Sequence, residues 1–382
     1  MTDLKTALKP KFRAQSIQFF MLLGLTVVTV ALGLAMVASS SAVDSFKESG
    51  NAGSMFFRQA MYAGVGFIGL IIASNLPMTI YRRFASIFLL GMIGLQLATV
   101  IFGDDINGNR NWLDLGFVSI QPSEFLKLAM VIAFAYWLSQ LTDDPYHNRT
   151  IWLRVLAYAG VGMFLVAVMG RDLGTGVVMA VMLAFTFLFA GMPLSWWFGL
   201  LGAGSALVIA LVSASPSRRI RFEAWLNPEM ADPMGVRWQF EHGTWALASG
   251  GIFGTGLGRS KLKWSWIPEV ENDFIFAIIG EELGMVGAMF VILLFFFFGL
   301  TMYQIARMQT NAFNRLLVVG VMLWVVMQGF INIAVVLGLL PVLGVPLPLI
   351  SAGGSSLIAT LGAIGVVLAV ERDRLIHLGR RS

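Results

Sequence analysis

The sequence predicts an all-α polytopic membrane protein: ten transmembrane helices, with a large extracytoplasmic loop between the seventh and eighth. Three observations predict it. The chain is 57% hydrophobic and only 12% charged, whereas a soluble domain carries about 25% charge. Its mean hydropathy is +0.79. Apolar runs of about 18 to 25 residues recur from end to end, the length that crosses about 30 Å of hydrocarbon. The ten-residue alternating segments of a membrane β-barrel are not seen.

The elements follow in order. The first span, 17–38, comes after Lys5, Lys9, Lys11 and Arg13. It is long, lacks a small-residue cleavage pattern and is followed by further spans, so it reads as an anchor rather than a signal peptide. Spans 57–76 and 84–102 flank Arg82 and Arg83. Pro122 suits the first position of the fourth, 122–140, and Glu124 lies near its positive N-terminal end. The fifth and sixth, 153–170 and 174–191, are separated only by "RDLG", the weakest boundary. The seventh is 195–214, and the eighth, 274–301, begins just after Asp273. The ninth is 316–338, and the tenth, 354–370, follows a segment rich in Pro and Gly.

Arg and Lys set the orientation. They crowd the N-terminus and alternate loops (Arg82 and Arg83, Arg149 and Arg154, Arg307 and Arg315), and return at Arg372, Arg374, Arg380 and Arg381. The other short loops hold little more than Lys47 and Arg110. Positive charge stays inside, so both termini are expected in the cytoplasm. Segments 103–121, 215–273 and 339–353 then form one extracytoplasmic face. No repeat or linker divides the chain, so 1–382 reads as one integral domain with tails 1–16 and 371–382 and the large loop 215–273.

With no cysteine, disulfides and thiolate metal sites are excluded. The three histidines, His147, His242 and His377, are scattered, which argues against a His-rich metal site. A net charge of +5 is explained by anionic headgroups and the insertion rule, without nucleic acid.

Polar residues gather in a few places. In "NGNRNWLDLGFVSIQPSEFLKL", residues 107–128, Glu124 and Lys127 are spaced i, i+3 and share a helix face. They are either a buried ion pair that fixes packing or the wall of a polar cavity. Trp112 suits an interface belt. Arg171 and Asp172 either form a local salt bridge at a tight turn or face that cavity. "SPSRRIRFEAWLNPE" lies on headgroups or binds an anion. Gly250, Gly251, Gly254, Gly256 and Gly258 precede Arg259, Lys261 and Lys263. No strand–helix unit surrounds them, which rejects a nucleotide-binding motif; the turn can still hold a pyrophosphate.

The stretch "WSWIPEVENDFIFAIIGEELG", residues 264–284, crowds carboxylates at the start of a span. Asp273 is either a helix cap or part of a site. Glu281 is about 80° around a regular helix from Asp273 and Glu282 nearly opposite, so Glu281 is the better candidate to share its cavity. "PVLGVPLPLISAGGSSL" is irregular backbone, which survives at membrane depth only when covered by protein or lining water.

Together the motifs "NGNRNWL", "QPSEFLKL", "DLGTG", "GGIFGTGLGRSKLK", "PEVENDFIFAIIGEELG" and "PLISAGGSSL", in this order across 107–357, resemble the SEDS family (shape, elongation, division and sporulation) of FtsW and RodA glycosyltransferases. Departures are Asn111 and Arg110 before Trp112, Arg171 before "DLGT", and Leu349 and Ala352 in the last motif. The wording of the last two motifs leans toward the FtsW branch.

The resemblance implies a ten-span polymerase at the outer face of the bacterial cytoplasmic membrane, joining lipid II into glycan strands, with a septal role expected and an elongation role as the alternative. It implies that Asp273 is the essential acid, here the general base toward the acceptor hydroxyl, and that Trp112, Arg110, Glu124 and Lys127 belong to the substrate site. Arg259, Lys261 and Lys263, with Arg218, Arg219 and Arg221, form the pool for the pyrophosphate. A cation bridging Asp273 and pyrophosphate would be Mg²⁺ or Mn²⁺. The implied partners are a class B penicillin-binding transpeptidase and divisome proteins. A lipid II flippase and a recruiting scaffold are the rival readings.

Overall fold

The computed structural model describes residues 15–106, 109–114, 116, 119–227, 236–260 and 271–378. Each of the ten predicted spans is a helix. They are α1 (Ile17–Ser40), α3 (Ser54–Asn75), α4 (Met78–Phe102), α5 (Pro122–Leu138), α6 (Pro145–Met163), α7 (Leu173–Phe189), α8 (Leu194–Ser213), α11 (Ile275–Arg307), α12 (Ala312–Val336) and α13 (Gly354–Leu378). Shorter helices α2 (Ala42–Ser49), α9 (Pro216–Leu226) and α10 (Val236–Ser249) lie between them. Among the described residues, eight helices are long and apolar enough to cross a membrane. α5 and α7 have 17 residues each, about 26 Å at 1.5 Å per residue, which is short of a full hydrocarbon core.

The departure from all-α lies before α5. Strands β1 (Asp104–Ile106), β2 (Asn109–Asp114) and β3 (Ser119–Ile120) form a small antiparallel sheet in the order β1-β2-β3. Asp104 pairs with Trp112, and Leu113 with Ile120.

The weak boundary between α6 and α7 proves to be a real break. α6 widens into a π-turn over Phe164–Met169. Arg171 then takes a positive φ of 59°, and Asp172 caps α7 by accepting from the Thr175 amide at 2.9 Å. Such π-turns are often found beside functional sites.

Helices α5, α12 and α13 form the interior. Fifteen of the 17 residues of α5 are buried, whereas α8 has none. Between membrane helices close backbone approach replaces the hydrophobic drive, and small residues permit it. Thus a Cβ on Gly365 of α13 would lie 2.6 Å from the Leu70 carbonyl of α3.

α11 is broken at Gly284 (φ 68°, ψ −166°). The 250–258 segment fills the break. Thr255 and Gly256 donate to the carbonyls of Glu281 and Glu282 at 2.9 and 3.0 Å, and Met285 donates back to Gly251 at 2.9 Å. A Cβ on Gly284 would strike the backbone of Gly254 and Ile252. Gly284→Ala is therefore expected to lower stability by at least the about 1–3 kcal/mol of a residue held in glycine-only backbone space. Thermal unfolding in detergent checks this, with Gly24→Ala, which meets open space, as control.

The 341–353 segment is irregular and largely covered by protein, in line with its sequence. Asn332 donates to Val345 at 2.7 Å, Gln328 to Pro346 at 3.0 Å, and Gln59 to Ser351 at 3.2 Å.

Candidate active site

The broken segments meet around a cavity of about 970 Å³. Its walls are the start of α3, strands β2 and β3, the α6–α7 turn, the α8–α9 junction, residues 272–274 and the 341–356 stretch. Among the described residues, two carboxylates, Asp172 and Asp273, and four guanidinium groups, Arg58, Arg171, Arg218 and Arg221, line it.

Asp273 is half-buried and precedes the helix. Phe274, not Asp273, occupies the cap position of α11, and the Phe274 side chain makes no capping hydrogen bond. Asp273 is clamped by its backbone. Asn332 donates to the Asp273 carbonyl at 2.8 Å and also holds Val345. Its Oδ2 would lie 3.4 Å from a Cβ on Gly344, which takes a positive φ of 71°. Glycine there both permits the turn and leaves room for the carboxylate.

Trp112 lies in β2, half-buried, in the same cavity as Asp273. Asn111 also lines the cavity, but Arg110, two residues before Trp112, is outside the lining. Its amide donates to Gly170 at 3.0 Å, and its exposed guanidinium lies 3.7 Å from Asp105. Asp105 also stands 4.0 Å from Arg171. Asp172 does two jobs, capping α7 and lining the cavity. Burial pushes its carboxyl above the usual range, opposed by the Thr175 amide and hydroxyl.

Arg218 stitches α9 to the break between α6 and α7. It donates to the Arg171 carbonyl at 2.9 Å and the Ala167 carbonyl at 3.4 Å. Burial lowers its pKa, partly offset by Asp172, and it remains cationic. Arg219 instead pairs with Glu223 at 3.5 Å on the exposed side of α9.

Three expectations need correction. Glu124 and Lys127 do not wall the cavity. Both are 1% exposed and pair with each other at 2.7 Å. Lys127 also donates to Gln328 at 2.9 Å, and Gln328 holds Pro346 of the cavity's rim. They form the buried pair, one layer beneath the site. Glu281 does not share the cavity with Asp273. It accepts from Ser260 at 2.5 Å, while Glu282 accepts from the Ser39 hydroxyl at 2.7 Å and the Ser260 amide at 3.2 Å. Nor does the glycine-rich turn offer its amides to a phosphate. Thr255 and Gly256 spend theirs on α11, and Gly258 donates to Ser39 at 3.1 Å. Arg259 is exposed on this turn, outside the cavity lining. Lys261 and Lys263 lie outside the described residues.

Sequence reasoning missed Arg58, Gln59 and Tyr62. They occupy one side of the first turns of α3 and face the cavity. Arginine and glutamine inside an apolar run were the available signal.

Comparison with known proteins bears on the family of the whole chain. The family described as "Cell cycle protein", which groups FtsW, RodA and SpoVE, matches residues 19–375. The chain is 40% identical over 358 residues to the probable peptidoglycan glycosyltransferase FtsW of Mycobacterium tuberculosis, covering 93% of this chain and 68% of that protein. It is 36% identical over 352 residues to stage V sporulation protein E of Bacillus subtilis, covering 91% and 95%. Among solved structures, a chain from a peptidoglycan synthase complex that coordinates polymerization and crosslinking superimposes with a TM-score of 0.73 at 26% identity, covering 95% of this chain and 99% of that one. The rod shape determining protein RodA of Thermus thermophilus gives 0.67 at 26% identity, covering 96% and 99%. A match that spans nearly every helix and both sides of the cavity leaves one conclusion: this chain is a member of the FtsW, RodA and SpoVE family.

Proposed function

We propose that this chain is a peptidoglycan glycosyltransferase that polymerises lipid II in the cavity containing Asp273. The observation that carries the assignment of residues is the pairing of the Asp273 carboxylate with four arginines in one cavity, where the second carboxylate, Asp172, is engaged in capping α7. Glycosyl transfer from a lipid pyrophosphate needs both charges. The acceptor sugar's hydroxyl oxygen bonds to the anomeric carbon of the donor, and its proton passes to the Asp273 carboxylate. The bond from that carbon to the pyrophosphate oxygen breaks, and undecaprenyl pyrophosphate leaves with the electron pair. Guanidinium groups stabilise the charge that grows on it. Arg58, Arg171, Arg218 and Arg221 are placed for this, and Trp112 offers a flat apolar face to a sugar ring.

Among the described residues no cluster of three or more acidic or histidine groups could hold a metal ion by itself. The donor set fits Mg²⁺ or Mn²⁺ only as an ion shared with substrate phosphates, the usual habit of Mg²⁺. In that case the metal would add positive charge at the leaving group, and Asp273 would be its protein ligand.

The membrane placement is part of the proposal. Ten spans, both termini in the cytoplasm and the cavity at the outer face satisfy the Arg and Lys distribution. Relatives called FtsW support a septal role in the bacterial cytoplasmic membrane, with a class B penicillin-binding transpeptidase and divisome proteins alongside. Fluorescent fusions are expected at midcell; a side-wall pattern would favour the elongation alternative.

Purified protein given lipid II in detergent is expected to make glycan polymer. A flippase would make none. Replacing Arg218 or Arg221 by Ala should lower kcat/KM by about tenfold to a hundredfold, the loss of a charged hydrogen bond of about 1.5–3 kcal/mol. Arg219→Ala, on the outer side of α9, should be neutral.

A further inference from the structure

The turn between α10 and α11 carries apolar side chains that the polymerase reaction does not use. Phe253 is 82% exposed, Leu257 63% and Ile252 56%. They are not a stray patch. Met285 and Val286 of α11 donate to the carbonyls of Gly251 and Ile252 at 2.9 and 3.2 Å, so the turn is fixed against the helix. From there an exposed stripe runs down α11 through Met285, Met289, Phe290, Leu293, Phe296 and Phe297. That stripe is on one of the helices long and apolar enough to cross a membrane, and the apolar turn continues it outward.

Length sets the depth of the turn. From Met285 to Arg307 is 23 residues, about 34 Å of helix. The hydrocarbon core is about 30 Å thick. With Arg307 at one headgroup layer, Gly284 and the turn beside it reach the opposite edge of the hydrocarbon. Glu281 and Glu282 stand just beyond it. Arg259, exposed on the same turn, is at the height of lipid phosphates.

We propose that the 250–259 turn is a membrane anchor, with Ile252, Phe253 and Leu257 set among the acyl chains of the far leaflet and Arg259 against its phosphates. Its occupant is bilayer lipid, because the helix length puts the turn at the edge of the hydrocarbon and the exposed Arg259 beside the apolar side chains suits lipid phosphates. The anchor also has a consequence for the site. Ser260, Thr255 and Gly256 grip Glu281 and Glu282, and α11 begins two residues after Asp273. The turn therefore fixes the height of Asp273 above the membrane, and a lipid-linked substrate has its own pyrophosphate held at headgroup height. This second step rests on the proposed function.

The absence of cysteine makes the test direct. Phe253→Cys, Leu293→Cys and Arg219→Cys proteins are each spin-labelled and placed in nanodiscs of phosphatidylcholine and phosphatidylglycerol. Collision rates with oxygen, which enters hydrocarbon, and with a water-soluble nickel chelate are then compared. The label at 253 is expected to favour oxygen, as at 293, though at shallower depth, and the label at 219 to favour nickel. A nickel-dominated signal at 253 overturns the anchor. Phe253→Glu should reduce polymerisation in liposomes by about tenfold or more while Phe253→Leu retains it. An anchored turn with full activity in the Glu variant overturns only the link to the height of Asp273. If the unmodified chain makes no polymer in detergent, it is the proposed function that fails, and the labelling result still decides the anchor.

Discussion

Asp273→Asn protein, inserted and folded as the parent, will polymerise lipid II at least a hundredfold more slowly. Positioned acid–base groups contribute about 10²–10⁴ in rate, and each tenfold is about 1.36 kcal/mol of barrier. Asparagine has the shape of aspartate, and Asn332 holds this residue by its backbone carbonyl, a contact that the substitution leaves in place. The fold should therefore survive, and thermal unfolding should show it. What is lost is the group that takes the proton. The pH profile separates this from a purely electrostatic or metal-holding role. If Asp273 is the base, kcat/KM of the parent falls in acid as the carboxylate protonates, and the asparagine variant loses that limb. If Asp273 holds a shared cation instead, raising Mg²⁺ or Mn²⁺ should restore part of the variant's rate. A folded variant with the parental rate would remove Asp273 from the chemistry.

The spans were legible because hydropathy is a property of each segment alone. Every predicted apolar run is a helix, and even the suspect "RDLG" break is present, made by Arg171 in a left-handed conformation and Asp172 as a cap. The site was less legible because it depends on contacts between distant segments. The angle argument for Glu281 assumed that Asp273 belongs to a regular helix. The helix begins at Ile275, so Asp273 points where the loop directs it, and Glu281 serves the 250–260 turn. The glycines of that turn looked like a phosphate cradle because close backbone approach is common to both uses. Only the break at Gly284, invisible in "EELGMVG", shows which use applies. The i, i+3 spacing of Glu124 and Lys127 correctly paired them, but no spacing within one helix tells which layer of a bundle it occupies. Strand β2 escaped notice because "NRNWLD" is polar, short and lacks alternation.

Lys127→Met should be the most damaging change away from the cavity. It leaves the Glu124 carboxylate 1% exposed and without its cation. Glu124 Oε2 already lacks a hydrogen-bond partner, so nothing nearby compensates. Breaking a buried pair from one side costs about 3–5 kcal/mol, and the variant should unfold at much lower temperature in detergent or fail to accumulate. The double variant Glu124→Leu with Lys127→Met removes both charges, and replacing a whole buried pair by apolar groups is often neutral. The path from this pair to the site predicts the rest. Lys127 is hydrogen-bonded toward the cavity's rim through Gln328, whose Oε1 also accepts from Trp324 Nε1 at 2.9 Å and whose Nε2 donates to Pro346. The charges of Lys127 and Glu124 also act on Asp172, with opposite signs, so removing both together leaves that carboxyl little changed. With Lys127 gone, Trp324 still orients that amide, so the 341–346 stretch stays in place. The double variant should therefore recover both stability and most of its polymerising activity. A double variant that folds well yet makes no polymer would mean that the Glu124–Lys127 pair meets the substrate or its proton directly, in a state of the enzyme where the cavity reaches one layer deeper.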